Sequence, residues 1–290
     1  MMLKINKLHG YIFSDNNLKL FEKLILFLAV GGFILHLALI YLNLNYDIGI
    51  LKGLDDLLRN PISALYTPFS FILIYEAFLL VYYFPRSFTT SIAKEYEIIS
   101  LVMIRKVFGD IPMLNFEEGI INQEGLILLY DLVAILIIYY LIHLFKKIIT
   151  KIPKRKPTIN IHRFISYKKM LSIVLLPTLL LLCVSNLYDW SYAVFVNQEF
   201  LENLNYIFFI DFFTILILVD VFILLISFQY TERYSQILRN TGFIISTILL
   251  RLSFSVSGVS SLILLLSGVV FGLIILKIYQ LSEVELNQRV

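Results

Sequence analysis

The sequence predicts an all-α integral membrane protein whose eight transmembrane helices form two parallel four-helix repeats, with both termini in the cytoplasm. Three observations predict this fold: the composition, the spacing of the apolar runs, and a similarity between the two halves of the chain. Of the 290 residues, 59% are hydrophobic and 16% are charged, whereas soluble domains are about 45–50% apolar and about 25% charged. The net charge of +3 is small and gives no reason to expect nucleic-acid binding.

Six apolar runs are long enough to cross the hydrocarbon core, which needs about 20 helical residues. Two shorter stretches, 94–111 and 239–255, each carry an arginine near the middle. From hydropathy alone, each of these two segments could be a full membrane span, a half-span or a helix lying at the membrane interface. The six long runs are 21–43, 66–84, 125–145, 168–188, 205–228 and 258–279.

The two ambiguous stretches resemble each other. Segment 98–108 (IISLVMIRKVF) aligns with segment 244–254 (IISTILLRLSF) at a shift of 146, with five of eleven positions identical. The identical positions include Arg105 and Arg251. Since the match falls on the polar positions as well as on common aliphatic ones, we interpret it as an internal repeat.

The preceding apolar runs extend the repeat. At a shift of 144, Glu76 aligns with Asp220. In each half, a carboxylate within one run is therefore followed by an arginine in the next helix. We interpret residues 1–150 and 151–290 as two copies of a four-helix transmembrane unit.

The positions of the lysines and arginines favour eight crossings. With eight spans and the N-terminus inside, the outer connecting segments contain only Lys52 and Arg59, whereas the inner segment 146–169 alone holds nine bases. With six spans, that basic segment would lie outside, against the positive-inside rule. An even number of spans per unit makes the repeats parallel. The compact length and a composition rich in Ile, Lys, Asn, Phe and Tyr favour a bacterial cytoplasmic (inner) membrane. The first 20 residues are too polar and too charged for a cleavable signal peptide.

Charges within a bilayer are costly and mark functional or structural pairs. At 1.5 Å per residue, Glu76 and Asp220 lie about 12 Å from the inner ends of their spans and the two arginines about 16–18 Å. A guanidinium can bridge that difference, so we expect the pairs Glu76 with Arg105 and Asp220 with Arg251. Two interpretations stay open: structural clamps, in which each ion compensates the other, or the lining of a polar path at the repeat interface.

Four other residues are candidates for a function. Asp131 breaks the repeat symmetry, since its counterpart is Ser267, and it belongs either to an outward-facing vestibule or to a hydrogen bond with a neighbouring helix. His36 has no visible second ligand and is expected to be a satisfied hydrogen-bonding group. Gly268 and Gly272 form a G-x-x-x-G face for close helix packing, at an internal or a subunit interface.

These features favour a channel or transporter that passes an ion or small solute along a path lined by the buried pairs and Asp131. The sequence lacks an H-E-x-x-H motif, a Walker A loop and a G-x-S-x-G elbow. Its single cysteine, Cys183, cannot form an intramolecular disulfide. We therefore expect no enzymatic activity, no metal and no cofactor.

Two alternatives belong to other classes. One is a non-conducting membrane subunit that anchors or regulates partner proteins through the Gly268 and Gly272 face and the basic segment. The other is an intramembrane enzyme acting on lipid, with Asp131 and His36 as its candidates. The expected partners are the lipid bilayer, anionic lipid at the basic segment 146–169, and a second copy or another protein; no nucleic acid is expected.

Overall fold

The structure, a computed structural model, describes residues 2–46, 58, 60–111, 123–152, 159–192, 204–231, 233–256 and 258–288. Within these ranges the chain forms nine α-helices and a short 3-10 helix at Pro61–Leu65. The α-helices are α1 (Met2–Ile12), α2 (Asp15–Tyr46), α3 (Tyr66–Tyr83), α4 (Phe88–Asp110), α5 (Gln123–Ile149), α6 (Ile159–Tyr192), α7 (Leu204–Phe228), α8 (Tyr234–Ser253) and α9 (Val259–Gln288).

Six helical ranges of the described chain are long and apolar enough to cross a membrane. They correspond to the six long apolar runs of the sequence, and the first of them joins α1 and α2. The prediction of an all-helical, multi-pass membrane protein is thereby confirmed. The ranges are Lys4–Asn45, Pro61–Tyr83, Gly125–Ile149, His162–Asn186, Ile210–Phe228 and Val259–Val284.

Several helices extend beyond the apolar runs that predict them. Helix α6 has 34 residues, about 51 Å at the α-helical rise, and it begins within the segment assigned to a basic loop. The part of that segment at 153–158 lies outside the described residues. Helix α1 was not predicted, because its sequence is polar; it packs on α6, where Asn6 Nδ2 donates to Ser166 Oγ over 3.3 Å.

Helices that follow one another in sequence pack together in both halves of the chain: α2 with α3, α3 with α4, α4 with α5, then α6 with α7, α7 with α8, and α8 with α9. Contacts between α4 and α8, α5 and α9, and α3 and α6 join the halves. One apolar core forms between α4, α5, α8 and α9, around Tyr96, Phe145 and Phe243. A second forms between α3, α6 and α7, around Phe78, Leu179 and Phe212.

The closest helix packing occurs where α9 crosses α8. A Cβ atom at Gly268 would lie 3.1 Å from the carbonyl oxygen of Ser246, and one at Gly272 would collide with the Tyr96 hydroxyl. The Ser246 hydroxyl donates to the Gly268 carbonyl over 2.6 Å, and the Tyr96 hydroxyl lies 2.6 Å from the same Ser246 oxygen. The G-x-x-x-G face therefore contacts α8 and α4 inside the molecule.

Replacing Gly272 by alanine tests this packing. The new methyl group would overlap the buried Tyr96 hydroxyl and lie 2.8 Å from Ser246 Oγ. We expect Gly272→Ala to lower the free energy of unfolding by about 1–3 kcal/mol, as other overpacked cores do. The thermal stability of the purified protein in detergent measures this loss.

Gly31→Ala is the matched control, because nothing lies within 4 Å of its added methyl group and alanine favours a helix over glycine by about 1 kcal/mol. Adding Tyr96→Phe to Gly272→Ala removes the colliding oxygen and should recover part of the loss. Equal stability of the Gly272→Ala and Gly31→Ala proteins would show that α9 does not pack as described.

Candidate functional site

Four charged side chains from four different helices meet inside the molecule. They are Glu95 on α4, Lys168 on α6, Asp220 on α7 and Arg251 on α8, and their exposed fractions are 6%, 2%, 5% and 3%. Arg251 Nη1 donates to Asp220 Oδ2 over 2.5 Å, and Arg251 Nη2 donates to Glu95 Oε1 over 2.6 Å. One guanidinium therefore neutralises carboxylates from two helices, a contact for which its planar set of donors is suited.

The helical repeat directs these charges inward. Glu95 and Lys168 lie on the buried stripes of α4 and α6, so their side chains point the same way as the apolar residues three or four positions away. Packing of the stripes against neighbouring helices thus carries each charge into the interior. Their buried neighbours on the two stripes are Ile92, Ile99, Phe164 and Ser172.

The two carboxylates have different surroundings. Asp220 Oδ2 accepts a hydrogen bond from Arg251 and lies 3.1 Å from the Thr247 hydroxyl, whose single proton is shared with the Ile244 carbonyl oxygen at 2.9 Å. Among the described residues, Arg251 is the donor to Glu95 Oε1. The second oxygen of each carboxylate accepts no hydrogen bond from the described residues.

Lys168 interacts with the cluster without forming a direct ion pair. Its ammonium donates to the carbonyl oxygen of Arg86 over 2.8 Å and lies 5.1 Å and 4.8 Å from the ring centroids of Phe84 and Phe88. These cation–π contacts stabilise a desolvated cation. Its charge also interacts with the carboxylates of both acidic cluster members.

All four charged residues line one cleft. Its open space is about 460 Å³, which includes space open to the surroundings, and the cleft has room for little more than a water molecule. The walls are mostly apolar, and Tyr83 and Ser91 add two hydroxyl groups. With two carboxylates and two bases the formal charge of the cluster is zero, so the cleft is strongly polar but electrically neutral.

The structure also brings Glu76 and Arg105 together, with 3.3 Å between Glu76 Oε2 and Arg105 Nε. Arg105 Nη1 also donates to the carbonyl oxygen of Phe69 over 3.4 Å. Both charged side chains are buried, but neither lines the cleft. The two pairs that the sequence treats as equivalent thus differ, since only Asp220 and Arg251 face the cleft.

The remaining candidates also have partners outside the cleft. Asp131 is 1% exposed, and its Oδ2 lies 3.1 Å from the ammonium of Lys106 on α4. The His36 ring nitrogen Nδ1 lies 2.7 Å from the Thr67 hydroxyl, which ties α2 to α3. Neither residue lines the cleft. In the part of the chain that the structure describes, no group of three or more potential metal ligands is found.

Sequence reasoning missed Glu95 and Lys168. At the repeat shift of 146, Glu95 aligns with the uncharged Thr241, so the repeat gave no reason to single it out. Lys168 was counted among the bases of a loop. Each of the two residues lies three or four positions from buried residues on either side, on the same face of its helix. A charged residue on such a buried face is the signal that would have identified them.

Comparison of the chain with protein-family models, with curated proteins and with solved structures found no match. The function is therefore argued from the cleft and its charges.

The pair outside the cleft gives a test of buried-charge energetics. Arg105→Met leaves the Glu76 carboxylate buried and uncompensated, so we expect a loss of about 3–5 kcal/mol in the free energy of unfolding. Adding Glu76→Met removes the stranded charge and should restore most of that loss. Thermal unfolding in detergent of the two single variants and the double variant measures the coupling.

Lys146→Met is the control, since Lys146 pairs with Glu97 at a partly exposed site and exposed pairs contribute only about 0–1 kcal/mol. A double variant that is less stable than Arg105→Met alone would contradict the assignment of Glu76 and Arg105 as a mutually compensating pair.

Proposed function

We propose that the protein is a membrane channel or transporter that passes an ion or small solute through the cleft between α4, α6, α7 and α8. One observation carries this proposal: four different helices each place a charged side chain at an otherwise mostly apolar cleft. Charged groups inside membrane proteins are rare because they are costly, and they typically mark ion or solute paths. Their convergence on one cleft supports a path there.

The cleft narrows the set of residues that line the proposed path. Asp220 and Arg251 belong to it together with Glu95 and Lys168, whereas Glu76 and Arg105 act as a clamp between α3 and α4. Asp131 and Lys106 hold α5 to α4 in the same way. Rearrangement of the bonds between Arg251 and its two carboxylates is the proposed means of opening the path.

The proposed architecture has eight crossings. Helices α4 and α8 have 23 and 20 residues, about 34 Å and 30 Å at the α-helical rise, which is enough to span the hydrocarbon core. Their buried charges have partners on neighbouring helices, so hydropathy overstates the cost of inserting them. The same order of helix contacts in both halves supports two parallel four-helix repeats with cytoplasmic termini, and the basic inner segments support a cytoplasmic membrane.

The alternative is a non-conducting membrane subunit. The observation in its favour is that Arg251 bonds to two carboxylates through Nη1 and Nη2, as in a structural clamp. The docking face proposed for this subunit has less support, because α8 and α4 of the same molecule already pack against Gly268 and Gly272. Anionic lipid at the basic segment 146–169 is compatible with either function.

Flux from proteoliposomes tests the transport proposal. We expect the purified protein to move an ion or solute from a panel that includes K⁺, Na⁺, Cl⁻ and small zwitterions. Asp220→Asn should change that rate by about tenfold or more, since a barrier change of only about 1.4 kcal/mol gives this factor.

Glu76→Gln is the matched control, because it neutralises an equally buried carboxylate outside the cleft. Glu76→Gln leaves Arg105 without its charge partner and lowers stability, so the rate is measured per folded protein and should stay within about twofold of the wild type. Equal effects of the two variants would argue against a path through the cleft, and the absence of any wild-type flux would favour the non-conducting subunit.

Cysteine labelling tests the number of crossings. In a Cys183→Ser background, Thr150→Cys lies just after α5 and Val256→Cys lies just after α8. Eight crossings place these two positions on opposite sides of the membrane, because α4 and α8 then both cross. We expect a membrane-impermeant maleimide to label Val256→Cys, and not Thr150→Cys, in intact cells.

Gln229→Cys, in the turn after α7, is the control and should behave as Thr150→Cys. Labelling of all three after membrane rupture shows that each thiol is reactive. If Thr150→Cys and Val256→Cys are both labelled in intact cells, the chain has six crossings, with α4 and α8 on the surface.

A further inference from the structure

We propose that Glu95 and Lys168 form a proton relay in the cleft and that the proton is the ion that the protein moves. This inference rests on the proposed transport function and names its substrate. It starts from two members of the cluster: a carboxylate held by one donor, and an ammonium that donates to a backbone carbonyl but has no direct ion pair among the described residues.

The neutrality of the cluster selects the proton. The two carboxylates and two bases sum to zero, so a metal cation or a halide entering the cleft would add an uncompensated charge, at a cost of several kcal/mol. A proton bound by a carboxylate while an ammonium releases one leaves the sum unchanged. The cleft has room for little more than a water molecule, which also suits a proton better than a solute.

The contacts assign the roles. The charged and titratable groups around Glu95 are Arg251 from α8, Asp220 from α7, Lys168 from α6 and Tyr83 from α3. Arg251 stays protonated in proteins, and Asp220 Oδ2 is bonded to it over 2.5 Å with the Thr247 hydroxyl 3.1 Å away. Glu95 keeps one oxygen unbonded, and a buried lysine changes protonation state readily. These two side chains are therefore the members that exchange a proton.

The relay consists of three balanced proton transfers. A hydronium ion at the mouth of the cleft gives a proton to Glu95 Oε2, which forms an O–H bond and leaves water. In the same event the Lys168 ammonium releases one N–H proton to water and its nitrogen keeps the electron pair as a neutral amine, so the cluster stays neutral. Transfer of the proton from the Glu95 acid to that amine, directly or through one water molecule, restores the starting charges.

The experiment uses the full-length protein in liposomes that contain a pH-sensitive dye, with K⁺ flux recorded from the same preparation. Glu95→Gln and Lys168→Met should each lower the proton flux by about 100-fold, the lower range for loss of a positioned proton-transfer group. The charge-balanced double variant Glu95→Gln with Lys168→Met keeps the Asp220 and Arg251 pair, so it should fold and should not move protons.

Glu97→Gln is the control, since Glu97 lies on the same helix, pairs with Lys94 and Lys146 and does not line the cleft. We expect its proton flux to be unchanged. As a second readout, the infrared band of protonated carboxyl groups that appears on acidification should contain one component that the wild type and Asp220→Asn share and that Glu95→Gln lacks.

The outcomes separate the relay from the transport proposal. Wild-type flux of K⁺ or another ion without proton flux would overturn the relay and leave the proposed transport function standing. Proton flux that persists in the charge-balanced double variant, or that falls equally in Glu97→Gln, would also overturn the relay. A wild-type protein that moves neither protons nor any other ion would overturn both proposals.

Discussion

Neutralisation of buried charge is the constraint on which the interior of this protein depends. Arg251 is 3% exposed and bonds to carboxylates on α4 and α7, so the positions of α4, α7 and α8 are coupled through one guanidinium. Without these bonds each charge would cost several kcal/mol in the low-dielectric interior. Helix α4 extends the principle, since its Arg105 pairs with α3 and its Glu97 and Lys106 pair with α5. The charged side chains of α4 thus hold this helix to its neighbours.

The close packing of small residues and the charge cluster are parts of the same arrangement. On α4, Tyr96 contacts Ser246 while the adjacent Glu95 contacts Arg251. Both partners lie on α8, whose close approach to α9 depends on the absence of side chains at Gly268 and Gly272. A displacement of α8 by the width of a methyl group would therefore disturb the hydrogen bonds of the packing site and those of the charged site together.

The apolar runs predict the membrane-competent helices, because lipid contact requires long uninterrupted apolar stretches. The positions of Glu76 and Asp220 along their runs also predict the arginines that they meet. The second acid at Arg251 could not be inferred in this way, since Glu95 has no charged counterpart in the repeat. Tertiary packing decides which face of α4 contacts α8. In addition, a hydropathy average over a helix conceals a single charged residue, such as Glu95, on its buried face. Lys168 lies at the boundary between the apolar run 168–188 and the basic segment 146–169 and is counted there with the loop bases, and hydropathy gives no signal for α1.

The neutrality of the cluster has a consequence for the response to membrane potential. One elementary charge that crosses the whole field gains roughly 2.3 kcal/mol per 100 mV. Glu95, Asp220, Lys168 and Arg251 together carry no net formal charge, so the field performs almost no work when they move as one body. A change in the separation of the members along the field, such as a shift of Arg251 away from its carboxylates, alters the dipole of the cluster and therefore involves electrical work. Rigid displacement of the cluster is therefore electrically silent, whereas breaking its bonds is sensitive to voltage.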